Sequence, residues 1–361
     1  MQIFEDRRAL HRIPELQLSL PKTMEYLKNA LIGLRCTVFS PMDSSLCAWF
    51  DFGADHAIAF RADADALPIA EKSGLPFASA HPGQMHACGH DGHMAILLEL
   101  ARRLSAKQAL AHNVLLIFQP GEETPGGAKP LCRTGIFETY GVTAVFGLHL
   151  WPGLTAGTVF SRENEMMSRV SELTVDIYGE SAHIAQKGKG IDASAAMVDL
   201  YCRAREMESR LPPEIPRLLN FGRITSGTVR NALSEHARME GSLRVYQDDV
   251  FDTLRDNLED IARQVEAKFG CRVNVHLTEG YPAVINPPSL YRRVMAAAPF
   301  AELAEPTMIS EDFSFYQTVV PGMFFFLGLG DSPALHADNF NFDEELLLRG
   351  ADFFETICDR F

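Results

Sequence analysis

The sequence predicts an α/β protein with a mostly parallel sheet, interrupted by an inserted, smaller α+β segment. Three observations point there. Apolar strand-like runs at 57–61, 114–118 and 144–149 each end in ionisable residues, as buried strands do when an open sheet places its chemistry at their C-terminal edge. Between about 170 and 278 the pattern changes to period-two alternation and the order βαββαβ, that of a ferredoxin-like domain. The 361 residues also exceed what one core usually holds. The outer part is therefore expected at 1–163 and 281–361, and the insert at 164–280.

Bulk composition narrows the classes of function. At 47% hydrophobic and 22% charged, with no low-complexity tract, the chain reads as an ordinary globular protein. A net charge of −14 argues against a nucleic-acid backbone or an anionic membrane as partner. A small anionic substrate stays open, because positive charge from a metal or an arginine can dominate inside a cleft. No run nears the roughly 18 apolar residues needed to span a bilayer. The first eight residues are charged and lack the apolar stretch of a secretory leader. Seven cysteines, odd in number and scattered, suit a reducing cytoplasm better than a disulfide framework, so a cytoplasmic location is expected.

Taken in order, residues 1–32 read as helical around breaks at Pro14 and Pro21. Strands follow at 46–52 and 57–61, separated by Gly53. The second runs into Arg61-Ala-Asp63-Ala-Asp65, with acidic residues just past a strand end. Residues 86–93, His-Ala-Cys-Gly-His-Asp-Gly-His, put Cys88 and His90 two positions apart, so both can reach one ion. Thiolate and imidazole suit zinc and other late first-row metals and suit magnesium or calcium poorly. A helix to about Leu104 follows, with Asp91 expected as its N-cap. Past the strand at 114–118 stand Glu122 and Glu123, where Pro120, Gly121, Pro125 and two further glycines forbid a helix. Adjacent side chains diverge there, so one can bind a metal while its neighbour faces a substrate. His149 is the third ionisable group at a strand end.

In the insert, strands are expected at 170–178, 217–225, 236–246 and 271–278, and helices at 190–211 and 248–269. One loop holds Ser181-Ala-His183 and a basic stretch to Gly190; Asn231 lies in another, and Arg244 on a strand. The α/β pattern resumes near Pro282, with Ser310-Glu-Asp-Phe313, an apolar strand Gly322–Gly328, Leu335-His336 and a helix at 343–361.

The set "HACGHDGH", "GEE…GGA", "GLHLWP", "SAH", "SEDF" and "LH", in this order, resembles the amidohydrolase branch of the dinuclear metallopeptidases. That branch holds hippurate hydrolase, N-acyl-amino-acid amidohydrolases, auxin-conjugate hydrolases and N-acetyldiaminopimelate deacetylase. The likeness covers nearly the whole chain, including "RADADALP" and "HRIPEL". It implies a metallopeptidase catalytic domain and an inserted lid through which the chain self-associates. It implies cleavage of N-acyl amino acids to a carboxylate and a free amino acid. Two divalent ions are implied, manganese or zinc with cobalt or nickel as other occupants, held by Cys88, His90, Glu123, His149 and His336. Glu122 falls at the general base. Asp63 falls where the wider clan has an aspartate that orients a metal-binding histidine, and Arg61 where that clan has a ligand histidine. His183 matches a lid histidine on the scissile carbonyl, and Asn231 and Arg244 match lid positions that hold the substrate carboxylate. The chain departs from the pattern after "PEL", where an acidic residue is often present. It departs again at Gln186-Lys187, where proline and histidine are usual, and at "RNALSE" in place of "NVIPD".

The same residues are open to three other readings. A metallo-dipeptidase or aminopeptidase would need an acidic residue for a free amino group, and the sequence singles out none. A thiol hydrolase pairing Cys88 with His90 or His86 would leave Glu122, Glu123, His149 and His336 without roles. A non-catalytic metal-binding protein of the same fold would be signalled by loss of Glu122 or a ligand, and all are present.

Overall fold

The computed structural model describes residues 1–361 and divides them into two compact units. The first comprises Met1–Met166, Val284–Pro306 and Glu311–Phe361; the second comprises Met167–Ala283 with Thr307–Ser310.

The first unit is built on an eight-stranded sheet. Its strands are β1 (Thr37–Phe39), β2 (Leu46–Phe50), β3 (Ala57–Asp63), β4 (Asn113–Gln119), β5 (Val142–Trp151), β6 (Val159–Ser161), β13 (Ala301–Glu302) and β14 (Gly322–Gly328). The short β7 (Asn164–Met167) and β12 (Val284–Asn286) pair separately. The order is β1-β2-β4-β3-β5-β14-β6-β13, and its central members β4, β3, β5 and β14 are mutually parallel. β3, β4 and β14 are buried at every residue, which is why they read as unbroken apolar runs: helices cover parallel strands on both faces. Around the sheet lie α1 (Gln2–His11), α2 (Pro21–Ala30), α3 (His90–Ala106), α4 (Ala128–Cys132), α5 (Ile136–Thr139), α8 (Pro288–Ala297), α9 (Ser314–Gln317) and α10 (Leu346–Arg360). α3 packs on β2, β3, β4 and β5, with α1 and α10 against it.

The second unit runs β8 (Arg169–Tyr178), α6 (Ala193–Ser209), β9 (Arg217–Ser226), β10 (His236–Val245), α7 (Asp248–Phe269) and β11 (Arg272–Leu277). Its four-stranded sheet has the order β11-β8-β10-β9 with every neighbour antiparallel, the ferredoxin-like arrangement. Leu173, Val175 and Ile177 alternate inward from β8 into a core of its own with Leu200, Leu254 and Leu258. No helix is long and apolar enough to cross a membrane.

One local expectation is corrected. Asp91 does not cap α3; Gly89 does, at φ 87°, a backbone conformation that a side chain would strain. Asp91 sits inside the first turn. Its carboxylate takes the Nδ1–H of His11 at 2.8 Å and the Nε–H of Arg7 at 3.3 Å, charge-assisted bonds that outcompete a capping bond. His11 Nε2 meets Glu71 Oε1 at 3.2 Å, so both ring nitrogens face carboxylates. Burial opposes the imidazolium, but Asp91 and Glu71 more than offset it and push His11 up to about 9. Because this lies above the unfolded value of 6.5, His11 contributes stability that is fully present below 6.5 and is lost as pH rises through about 9. The stability difference between wild type and His11→Gln, measured by denaturant unfolding, should therefore shrink between about pH 6 and about pH 10. A difference that stays flat across that range would contradict the paired imidazolium.

Candidate metal centre

Parallel alignment brings three strand ends to one edge of the first unit's sheet. The register sets Asp63 beside Gln119 and Arg61 beside Gly147, two residues before His149. After β4 the chain folds back so tightly that a β-carbon on Gly127 would stand 1.7 Å from the Pro120 carbonyl oxygen, and only glycine fits. Glu122 and Glu123 lie in this turn. Cys88 and His90 flank Gly89, where α3 begins.

Ligand-type atoms converge here. Cys88, His90 and His149 gather within 4.8 Å of one another, as do Cys88, Glu123 and His336, so Cys88 is common to both groups. Cys88 Sγ lies 3.3 Å from His149 Nε2, and neither ring nitrogen of buried His86 has a hydrogen-bond partner. The imidazole tautomers follow from their partners. His90 Nδ1 is 2.8 Å from the Asp65 carbonyl oxygen, and His149 Nδ1 is 2.7 Å from that of Leu150. A carbonyl only accepts, so each Nδ1 carries the proton and each Nε2 presents a lone pair. His90 Nε2 is buried without a hydrogen-bond partner, 4.0 Å from Glu123 Oε1. Leaving a buried polar atom unsatisfied typically costs about 1–3 kcal/mol, and a cation at this point would relieve His90.

Electrostatics agree with a cation. Burial, reinforced by Glu123, Glu122 and Asp63, pushes the Cys88 thiol well up, so a thiolate here needs positive charge brought to it. Burial holds His90 and His149 down, in the neutral form that binds metal. His336 sits at φ 64°, a left-handed conformation that costs a non-glycine residue on the order of 1 kcal/mol. Its backbone N–H donates to the Ala87 carbonyl at 2.8 Å, and its Nε2 is 3.2 Å from Glu123 Oε1. The donor set of one thiol, three imidazoles and a carboxylate fits late first-row ions.

Glu122 differs from its neighbour. Burial, together with Glu311, Glu123, Asp312 and Asp63, pushes its carboxyl well above the ordinary range, whereas Glu123 is held below it despite burial, by His336 and His90. Asp63 lies between two histidines, with its Oδ2 3.6 Å from His90 Nε2. Its Oδ1 accepts from His93 Nδ1 at 2.6 Å and its Oδ2 from Arg61 Nη1 at 2.9 Å. His93 Nε2 in turn accepts the Leu150 N–H at 2.9 Å, so both nitrogens of His93 are used and it anchors the strand end that carries His149.

The remaining candidates lie in the second unit. His183 is exposed, and its Nδ1 accepts the Ala185 N–H at 3.2 Å. The Asn231 carbonyl accepts the Ile184 N–H at 3.0 Å, which ties the two loops together. Arg244 is half-buried and donates through Nη1 to the Met308 carbonyl at 2.7 Å.

Sequence reasoning passed over the groups that support the centre. Arg61 Nη2 lies 2.8 Å from Asp312 Oδ1 and 3.0 Å from Glu311 Oε1, and its Nε donates to Gln119 Oε1 at 2.8 Å. Gln119 Nε2 donates to Asp312, and the Tyr316 hydroxyl to Gln119 Oε1. The signal was an arginine inside an otherwise apolar strand, which is buried only with partners. Removing one member of a buried ion pair typically costs about 3–5 kcal/mol. Arg61→Met, close in size, should lower unfolding free energy by that amount in a denaturant titration; a loss under about 1 kcal/mol would show that the network is not holding this edge.

Comparison with known proteins agrees with this architecture. The sequence profile of peptidase family M20/M25/M40 matches residues 59–360. An uncharacterized hydrolase of Staphylococcus saprophyticus is 34% identical over 373 residues, covering 99% of this chain and 97% of its own length. One from Staphylococcus haemolyticus is 34% identical over 370 residues, covering 98% and 97%. The crystal structure of Bacillus subtilis YxeP, a dinuclear metal-binding peptidase of the M20 family, superposes with a TM-score of 0.88 at 29% identity, covering 99% of this chain and 96% of that one. The chain belongs to peptidase family M20/M25/M40.

Proposed function

We propose that this protein is a metal-dependent amidohydrolase that cleaves N-acyl amino acids to a carboxylate and a free amino acid. The observation that carries the reading is the convergence of two ligand groups on Cys88, one with His90 and His149 and one with Glu123 and His336, with His90 Nε2 buried and without a hydrogen-bond partner. Cys88, His90, Glu123, His149 and His336 are the residues that would hold two divalent ions, manganese or zinc among them, with Cys88 shared. Ions there supply Lewis-acid charge, which polarises a carbonyl and makes water a better acid near neutral pH.

The chain's own groups do the rest. Glu122, with its raised proton affinity, takes a proton from the attacking water as the C–O bond forms, then gives it to the nitrogen as the C–N bond breaks. Asp63 acts through His93, which holds the strand end beside His149. His183 is assigned as a donor to the substrate's carbonyl oxygen, and Asn231 and Arg244 as the partners of its carboxylate. Self-association through the second unit belongs to the same reading, supported by the edge strand β9 with Leu218 and Ile224 exposed. A cytoplasmic location belongs to the same reading, resting on the odd number and scatter of the seven cysteines.

Two observations favour other substrates or chemistry. YxeP is a peptidase by its name, so dipeptides form the second substrate class. The Cys88–His149 contact would suit a thiol nucleophile and its base, although that reading leaves His90 and Glu123 unexplained. One experiment separates them: turnover of N-acetyl, N-benzoyl and long-chain N-acyl amino acids, their carboxamides and dipeptides, before and after chelation and metal return. Activity should vanish with the metal, return with manganese, zinc or cobalt, and be confined to N-acyl amino acids with a free carboxylate. Full turnover in metal-free protein would overturn the reading in favour of the thiol, and turnover of dipeptides alone would move the substrate class.

A further inference from the structure

Asp65 is fully buried at the centre's edge, and three contacts converge on it. Its Oδ1 accepts the backbone N–H of Glu122 at 2.9 Å, and its Oδ2 accepts that of Glu123 at 3.1 Å. Its carbonyl oxygen accepts the Nδ1–H of His90 at 2.8 Å. Asp65 thus joins the start of α3 to the 120–127 turn, two segments that are not part of the sheet. The side chains of 122 and 123 leave the backbone in different directions. Fixing both N–H groups on one rigid carboxylate therefore fixes where both side chains start.

We propose that Asp65 is the positioning residue of the metal centre, setting the carboxylate of Glu123, the imidazole of His90 and the proton-transfer group Glu122 in one mutual geometry. The inference rests on the metal-centre reading above. Its chemistry is that of a carboxylate holding two donors of a turn while its own carbonyl fixes a ligand's tautomer, an arrangement that outer partners of metal ligands commonly use. Hydrogen bonds to such partners change metal affinity or activity about 10–100-fold when lost. Asparagine in this place would turn one acceptor into an N–H₂ donor facing a backbone N–H, so Glu122 or Glu123 would lose its anchor.

The test is Asp65→Asn, read by titrating metal-free protein with cobalt(II) and by steady-state kinetics. Cobalt affinity should fall about 10–100-fold, and the visible d–d absorption of the cobalt-loaded protein should shift as its geometry relaxes. Turnover number should fall by a similar factor while KM moves much less. Wild-type cobalt affinity and absorption, with a turnover number within about twofold, would overturn the proposal. If Asp65→Asn does not fold, the smaller Asp65→Ser is measured the same way; failure of both to fold would make Asp65 a stability residue and also overturn it. The wild-type control keeps the two claims apart. Wild type without metal-dependent hydrolysis sinks the functional reading, while the cobalt affinity and spectrum of the variant still decide the role of Asp65.

Discussion

A guanidinium surrounded by carboxylates supports the edge of the first unit's sheet where the candidate ligands gather. Arg61 sits inside β3, almost without solvent, and reaches Asp63, Glu311 and Asp312 within about one hydrogen-bond length each. Burying so many acids at one sheet edge would be prohibitive without that charge, since a lone buried carboxylate neutralises itself before it stays ionised. The guanidinium is planar and always charged, and its fork can meet several acceptors at once. The consequences run outward. Asp63, kept ionised against its burial by His90, Arg61 and His93 together, orients His93; His93 holds Leu150; and the adjacent His149 presents Nε2 to Cys88.

This arrangement also shows how one sheet edge can make two neighbouring glutamates behave differently. Glu123 faces imidazoles, which favour its ionised form, whereas Glu122 faces Glu311, Asp312 and Asp63 and is pushed the other way. A base that must accept and return a proton is best poised near working pH, and a ligand is best kept ionised. The difference is set by what surrounds each side chain, because the two residues are chemically identical and adjacent.

Much of this was legible in the sequence, and the reasons are physical. Strands buried on both faces cannot alternate, so β4 and β14 stood out as apolar runs, and the half-exposed β8 stood out by its period of two. Metal-type residues fell at strand ends because parallel strands carry their chemistry there. What sequence could not show was choice among like residues. Asp63 and Asp65 are the same acid two positions apart, yet one bonds to side chains and the other to the turn backbone. His93 looks like a ligand in its motif and is spent on Asp63 and Leu150. Asp91 looked like a cap, and only the fold brings His11 and Arg7, some eighty residues away in sequence, to claim it.

The central claim is that Glu122 moves protons while Glu123 holds metal. Elemental analysis alongside turnover, on Glu122→Gln and Glu123→Gln in parallel, tests it most directly. Glu122→Gln should keep its full metal content and lose about 10²–10⁴ in turnover number, whereas Glu123→Gln should lose metal and activity together. A Glu122→Gln protein that sheds metal in step with its activity, or that turns over within about twofold of wild type, would contradict that division of labour.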